Sequence, residues 1–158
     1  MPNILLTRVD NRLIHGQVGM TWVNHLGANL ILVANDQVAN DPVQQNLMDM
    51  AAPGKVETRY FTVQETIDKI HFAGDWQMIF LVVKTPQDAL KLVQGGVPID
   101  ILNIGNMHFS EGKKQVTSTV SVDESDKAAI KGLLDAGVKI EIRRVPDEPV
   151  SDVAKVFE

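Results

Sequence analysis

Two short runs of consecutive apolar residues constrain the fold of this chain more than any other feature of its sequence. Residues 30–34 read Leu-Ile-Leu-Val-Ala, and residues 78–83 read Met-Ile-Phe-Leu-Val-Val. A strand with one solvent-exposed face alternates apolar and polar residues, whereas a strand covered on both faces is apolar throughout. Both runs therefore predict inner strands of a parallel sheet. Alternation at Val138, Ile140 and Ile142 predicts a further strand nearer the edge of that sheet.

Helix signals occupy the segments between these strands. Asp41 and Thr85 each precede a proline, and Thr62 begins the pattern of a capping box. The helix after Asp41 is expected to turn one apolar stripe inward, formed by Val43, Leu47, Met50 and Ala51. Strands alternating with helices through short connections predict an α/β fold. We expect a single domain over residues 1–158, with a doubly wound, mostly parallel open sheet and helices on both faces.

Composition narrows the classes of function. A net charge of −5 argues against binding to nucleic acid or to a membrane surface, since both favour a basic face. The chain has no cysteine, which excludes disulfides, cysteine nucleophiles and thiolate metal sites. No apolar run approaches the roughly 20 residues of a membrane-spanning helix, and the first residues lack the pattern of a signal peptide. We therefore expect a cytoplasmic protein.

The segment 8–18 concentrates charged side chains between the first predicted strand and the first predicted helix. In α/β proteins, ligands bind in the loops that follow the strands. The chain contains five arginines, and two of them, Arg8 and Arg12, lie within seven residues of His15. A neutral imidazole accepts and releases a phosphoryl group because the N–P bond is labile. We therefore predict that His15 carries a phosphoryl group whose charge Arg8 and Arg12 neutralise.

Two further roles are predicted beside His15. The helix after His15 would present backbone N–H groups to phosphate oxygens, and its dipole would favour the anion. Asp10 could orient the imidazole and so determine which ring nitrogen is free. The predicted catalytic residues are His15, Asp10 and Arg12, and the predicted phosphate-binding residues are Arg8, Arg12, Gly16, Gln17 and Val18.

Other interpretations of the same residues stay open. His15 could be an ordinary exposed polar residue, and Asp10 could pair with an arginine without any catalytic role. The loop could also bind phosphate or a sugar phosphate as a regulatory module, without turnover. A metal hydrolase would need a site built from His15, His25 and His108. The sequence has no closely spaced histidine pair and no nucleotide-binding motif, so we expect no metal and no cofactor.

Polar residues after two later strands are expected to reach the same end of the sheet. Lys84 follows the strand at 78–83, and the segment 103–114 follows a predicted strand at 101–104. A connection of that length in a compact domain is more often functional than filler. We predict that it contacts a protein partner, and a solvated loop is the alternative. The predicted partner-binding residues are Lys84, His108, Lys113 and Lys114.

The segment Arg8-Val-Asp-Asn-Arg-Leu-Ile-His15-Gly-Gln-Val18 resembles the signature of the IIB component of mannose/sorbose-family sugar phosphotransferase systems. This motif is long and specific, and the resemblance extends over nearly the whole chain. The segments 38–48, 84–86 and 103–114 are similar to the same family. The last of them is most similar to its N-acetylgalactosamine/galactosamine branch. Asn11 departs from the pattern, because many members carry a second aspartate at that position.

The resemblance implies an open α/β sheet whose strand order reverses at the first strand. It implies a phosphotransferase in which His15 takes a phosphoryl group from a phosphohistidine of the IIA component, usually on Nδ1. His15 then passes the group to a sugar imported through the membrane components IIC and IID. That sugar would be N-acetylgalactosamine, galactosamine or another hexose, bound mainly by the membrane components. Sugar specificity is left open, as is the oligomeric state, with a homodimer as one option.

Overall fold

A computed structural model describes residues 2–52 and 54–158 of the chain. Its strands are β1 (Asn3–Asp10), β2 (Leu30–Ala34), β3 (Glu57–Phe61), β4 (Met78–Val83), β5 (Ile101–Asn106), β6 (Lys114–Gln115), β7 (Ser121–Val122) and β8 (Lys139–Ile142). Its α-helices are α1 (Gly16–Leu26), α2 (Asp36–Ala39), α3 (Pro42–Ala51), α4 (Val63–Lys69), α5 (Pro86–Gln94) and α6 (Glu124–Asp135). Short 3-10 helices cover Ile70–Phe72 and Val153–Phe157.

Six strands form one parallel sheet in the order β3-β2-β4-β1-β5-β8, while β6 and β7 make a small antiparallel ribbon. The chain runs outward from β1 to β3, returns to β4 beside β1, and then continues through β5 to β8. The strand order therefore reverses at β1, which opens a crevice at the carboxyl ends of the strands. The predicted doubly wound parallel sheet with helices on both faces is confirmed.

The apolar runs account for the centre of this sheet. All of β2 is buried, and β4 is buried except at half-buried Met78. Both strands have the predicted bounds, and β8 lies at an edge as its alternating pattern predicts. The strand β3 forms the opposite edge, and its sequence Glu-Thr-Arg-Tyr-Phe contains no apolar run that would have predicted it.

Two apolar core layers lie on opposite faces of the sheet. Along β4, Leu81 belongs to one layer and Val82 to the other, because side chains of a strand alternate between faces. Helices α5 and α6 cover the first layer, where Leu92 and Ile130 are fully buried. Helix α1 covers the second layer with Trp22, a side chain that is 1% exposed. This sandwich holds the ends of the strands in fixed positions.

The predicted inward stripe of α3 is wrong for three of its four residues, whereas Ala51 packs against the core as predicted. Val43, Leu47 and Met50 are 66%, 54% and 83% exposed, whereas Met48 is buried. The helix is rotated because the Gln45 side chain faces inward and donates hydrogen bonds to the carbonyl oxygens of α2. These bonds reach Val38 at 2.8 Å and Ala39 at 3.2 Å. Buried carbonyl groups at the end of α2 therefore determine which face of α3 meets the sheet.

The predicted helix starts are confirmed at Asp41, Thr62 and Thr85, each of which accepts backbone hydrogen bonds as an N-cap, and Asp123 caps α6 in the same way. At α6 the Asp123 carboxylate accepts from the backbone N–H of Asp126 at 2.8 Å, and the Asp126 carboxylate accepts from that of Asp123. The hydrogen bond from the Asp126 backbone lowers the pKa of Asp123 below its ordinary value. The cap therefore favours the ionised carboxylate.

Replacement of Asp123 by alanine is expected to cost about 1 kcal/mol of unfolding free energy at neutral pH. Because the pKa of Asp123 is lower in the folded chain, this contribution is present above the ordinary carboxyl pKa. It is lost as the pH falls through the lowered pKa. Urea unfolding of Asp123→Ala and Asp123→Asn at several pH values checks this. The asparagine variant keeps the cap without titrating, so equal destabilisation of both variants at neutral pH would contradict the assignment.

Candidate active site

His15 is the N-cap residue of α1, and its side chain is exposed. The residue has extended backbone angles, φ −145° and ψ 118°, and its side chain does not cap the helix. Within residues 2–52 and 54–158, no hydrogen bond engages its imidazole. Both ring nitrogens are therefore accessible to a reacting group carried by another protein.

The turn between β1 and His15 is anchored by two buried apolar side chains. Leu13 is 7% exposed and Ile14 is 6% exposed, and both belong to the core layer beneath α1. Leu13 has φ +60°, a left-handed conformation that costs a non-glycine residue roughly 1–2 kcal/mol. Its N–H donates to the carbonyl oxygen of Asp10 at 2.9 Å. Burial of the two side chains offsets this strain and fixes the path of the chain into α1.

The first residues of α1 are accessible to an anion beside His15. Gly16 and Gln17 are exposed and Val18 is half-buried. Backbone N–H groups in the first turn of a helix have no partner within the helix. Gly16 has φ +49°, where a Cβ would be strained, so glycine suits this bend. Phosphate binding by Gly16, Gln17 and Val18 stays a prediction that this geometry permits.

Arg8 does not face the solvent, which contradicts its predicted contact with phosphate. Its side chain is 2% exposed, and its guanidinium lies 5.4 Å from the centre of the Trp22 ring. The guanidinium donates to Asn103 Oδ1 at 2.6 Å and to Asp10 Oδ2 at 3.4 Å. Burial lowers the pKa of Arg8, and the Asp10 carboxylate offsets part of that effect. Arg8 is thus an internal cation that supports the loop from below.

The carboxylate of Asp10 contacts arginines rather than the imidazole. Its Oδ1 accepts from the backbone N–H of Arg12 at 2.9 Å and from Arg12 Nε at 3.4 Å, while Oδ2 accepts from Arg8. In the described part of the chain, no hydrogen bond joins Asp10 to His15. The predicted role of Asp10 in orienting the ring is therefore not supported by this geometry. Asp10 instead positions Arg12, so it acts through that residue.

Arg12 lines a cleft at the carboxyl edge of the sheet, which we call the Arg12 cleft. Its side chain is 31% exposed, and among the described residues only its Nε is engaged, by Asp10. The cleft has a volume of about 530 Å³. The residues that line it are Asn11, Arg12, Leu13, Asn35, Gln37, Val38, Asp41, Gln44, Met48 and Lys84. The guanidinium of Arg12 is therefore available to a group near His15 or in the cleft.

The sequence profile of the PTS system sorbose subfamily IIB component matches residues 4–158. The chain belongs to this family. The N-acetylgalactosamine-specific phosphotransferase enzyme IIB component 2 of Escherichia coli (strain K12) is 56% identical over 157 residues. The match covers 99% of this IIB chain and 100% of that protein.

Two crystal structures show the same fold. That of the N-acetylgalactosamine-specific IIB component 1 from Escherichia coli has a TM-score of 0.93 and 48% identity, covering 96% of this chain and 99% of that one. The IIBSor domain of the sorbose permease from Klebsiella pneumoniae has a TM-score of 0.91 and 34% identity, covering 98% and 96%. This IIB component is thus a phosphotransferase of a sugar phosphotransferase system.

The predicted partner-binding residues of this IIB component fall into two groups. Lys84, His108 and Lys113 line a second cavity of about 250 Å³. The charge of Lys113 is already paired with the buried Asp126 at 3.1 Å. Lys114 lies in β6 and donates to the backbone oxygen of Glu158 at 2.9 Å. The cavity thus brings Lys84 and His108 together as accessible groups, whereas Lys113 and Lys114 hold the loop and the chain end.

Asn103 is a residue of β5 rather than the start of a loop, because β5 extends to Asn106. Its amide group accepts from Arg8 and donates to Glu141 and to the carbonyl oxygen of Arg143, both at 3.2 Å. A prediction based on apolar runs does not detect the end of a strand whose last residues carry buried side-chain amides. Gly105 lies against the Arg8 guanidinium, where a Cβ would overlap it. Neither residue was predicted as part of the site.

The described residues hold no group of three or more His, Cys, Asp or Glu side chains that could bind a metal ion. Among the helices of residues 2–52 and 54–158, none is long and apolar enough to cross a membrane.

Proposed function

We propose that His15 is the phosphorylated residue of this IIB component. The observation that carries the proposal is the accessibility of its imidazole, which no hydrogen bond of the described chain engages, at the N-terminus of α1. In this proposal the amides of Gly16, Gln17 and Val18 and the guanidinium of Arg12 donate to the phosphate oxygens. A helix start and a guanidinium both favour a doubly charged anion.

The transfer takes place in two balanced steps. A lone pair of a His15 ring nitrogen attacks the phosphorus of a phosphohistidine on the IIA component, so one N–P bond forms as the other breaks. In the second step a sugar hydroxyl oxygen attacks the same phosphorus. The N–P bond then breaks, and the hydroxyl proton passes to the ring nitrogen that is released. In this proposal Arg12 lowers both barriers by bringing its charge near the oxygens on which negative charge develops.

The donor in this proposal is a IIA protein, and the acceptor is a sugar delivered by membrane components IIC and IID at the cytoplasmic side of the membrane. Two relatives, at 56% and 50% identity, are named N-acetylgalactosamine-specific, which supports N-acetylgalactosamine as the sugar. A mannose-specific relative is named an EIIAB component, and this name joins the designations IIA and IIB, which supports a IIA partner. Lys84 and His108 are the residues that we propose for contact with these proteins.

Incubation with phosphorylated IIA component, followed by intact-mass measurement, tests the proposal. We expect the mass to rise by one phosphoryl group, and the modification to be labile in acid and stable in base, as phosphohistidine is. A regulatory module that only binds phosphate would show no covalent gain in mass. Absence of the modification with an active donor would contradict the proposal.

Replacement of Arg12 by alanine is expected to slow phosphate uptake by about 10²- to 10³-fold, which is the usual effect of removing one charge-stabilising donor. Single-turnover kinetics with phosphorylated IIA component measure this change. Arg144→Ala is the matched control, because Arg144 is 52% exposed and forms its ion pair with Glu148 on the surface. Equal rates for the Arg12 and Arg144 variants would remove Arg12 from the site.

A further inference from the structure

The Arg12 cleft is larger than a phosphoryl group requires. Its volume of about 530 Å³ is within the range of small-molecule sites, roughly 300–1,000 Å³. It lies where strand order reverses in the sheet, which is the usual position of a ligand site in this architecture. The chemistry of its lining therefore indicates what a ligand there would be.

One end of the cleft is cationic. Arg12 contributes a half-exposed guanidinium, and Lys84 follows β4 directly. Val83 is paired with Val9 of β1, so Lys84 begins beside Asp10, at the end of the neighbouring strand. In the described residues Lys84 has no ion pair, unlike Lys113. Two cations at one end of a cleft suit a phosphate group that carries two negative charges.

A buried amide faces the same space. Asn35 is 6% exposed, and its Oδ1 accepts from the N–H of Val38 at 2.9 Å, which caps α2. Its Nδ2 has no partner within residues 2–52 and 54–158, and the side chain lines the cleft. Nδ2 keeps some solvent exposure, because among the described residues the only fully buried side-chain polar atom without a partner is Thr7 Oγ1. The donor is thus placed for an oxygen atom bound in the cleft.

The rest of the lining combines an apolar floor with a polar rim, and this rim includes Asn11 and the carboxylate of Asp41. Leu13, Val38 and Met48 are buried beneath the cleft, and Gln37 and Gln44 lie at its edge. A polyhydroxylated ring binds through apolar contact on one face and through hydrogen bonds between its hydroxyl groups and surrounding amides. The lining of the cleft offers both. Cations at one end add a site for a phosphate on that ring.

We propose that the Arg12 cleft binds a phosphorylated hexose or amino sugar. Its phosphate lies between Arg12 and Lys84, and its ring hydroxyls are hydrogen-bonded by Asn35 and Gln44. The inference rests on the proposed function, because a phosphoryl group leaving His15 would reach the sugar beside Arg12. The ligand is then the product of the transfer, held by this component after the N–P bond has broken.

Isothermal titration of the unphosphorylated full chain tests the proposal. The probe is N-acetylgalactosamine phosphorylated on its primary hydroxyl, with free N-acetylgalactosamine and inorganic phosphate as comparisons. We expect the phosphorylated sugar to bind more tightly than either comparison compound. Lys84→Met is expected to weaken its binding about 10- to 100-fold, as loss of a hydrogen bond to a charged group does. Gln44→Ala is expected to weaken it about 3- to 10-fold.

Two matched variants control for nonspecific effects. Lys139→Met changes a lysine at the first residue of edge strand β8, and Gln64→Ala changes an exposed glutamine of α4. Neither is expected to alter binding. Three results would each overturn the proposal: no binding of the phosphorylated sugar, equal binding of inorganic phosphate with no effect of Gln44→Ala, or equal effects of the Lys84 and Lys139 variants. Normal phosphorylation of the same protein by IIA component would show that such a failure concerns the cleft alone.

Discussion

The largest effect is expected for His15→Ala, which abolishes phosphate uptake from IIA component and leaves the fold intact. The imidazole is exposed, makes no hydrogen bond in the described chain and does not cap α1. A surface substitution without such interactions usually changes the free energy of unfolding by less than about 0.5 kcal/mol. Intact mass after incubation with the phosphorylated donor measures the first effect, and urea unfolding measures the second.

His25→Ala and His71→Ala are the controls for this experiment. Both histidines are exposed and lie near helix ends, His25 in the last turn of α1 and His71 in the 3-10 helix after α4. We expect both variants to take up phosphate at the rate of the unmodified chain. A phosphoryl group found on the His15→Ala variant would show that another residue is the carrier.

Arg8→Met is expected to destabilise the chain by about 3–5 kcal/mol, because it removes one partner from a buried ion pair. Asp10 is 1% exposed and would keep only Arg12, at 3.4 Å from Nε, as a charged partner. The Asn103 amide oxygen would lose its 2.6 Å bond, and the carbonyl oxygen of Arg143 would lose a donor at 3.4 Å. Urea unfolding monitored by circular dichroism measures the loss.

Arg59→Met is the matched control, since Arg59 forms an exposed pair with Glu57 on edge strand β3. Exposed ion pairs contribute about 0–1 kcal/mol to the free energy of unfolding. The free energy of unfolding of Arg59→Met is therefore expected to be close to that of the unsubstituted chain. Gly105→Ala tests the same internal cation without changing Arg8 itself, because the added Cβ would displace the Arg8 guanidinium. If Arg8→Met were no less stable than Arg59→Met, the internal role of Arg8 would be wrong.

The sequence predicted those features that depend on local pattern. The bounds of β2 and β4 follow from apolar runs that only a doubly covered strand tolerates. The starts of α3 and α5 follow from a capping residue that stands directly before a proline. Which face of α3 packs against the sheet could not be predicted in this way, since it depends on hydrogen bonds from Gln45 to carbonyl groups of another helix. An apolar stripe alone gives no information about such partners.

The sequence predicted residues that form the candidate site, but not how the fold arranges all of them. Charges close to His15 in the chain indicated a phosphate site, and the family signature strengthened that prediction. Arg8 and Arg12 are four residues apart, yet one is buried and the other is partly exposed. Side chains two apart on a strand share a face, so Arg8 and Asp10 could have been expected to meet. The burial of that face by Trp22 depends on packing that is set by the whole fold.

The buried anchors Leu13 and Ile14 have a consequence for the timing of the relay. A loop with two side chains in the core does not need to refold when one partner leaves and the next arrives. Under the proposed function, the imidazole then meets donor and acceptor in the same shape, and both proteins must conform to it. Faster delivery would then come from longer-range attraction between the protein surfaces, which raises the rate of encounter, rather than from a looser loop.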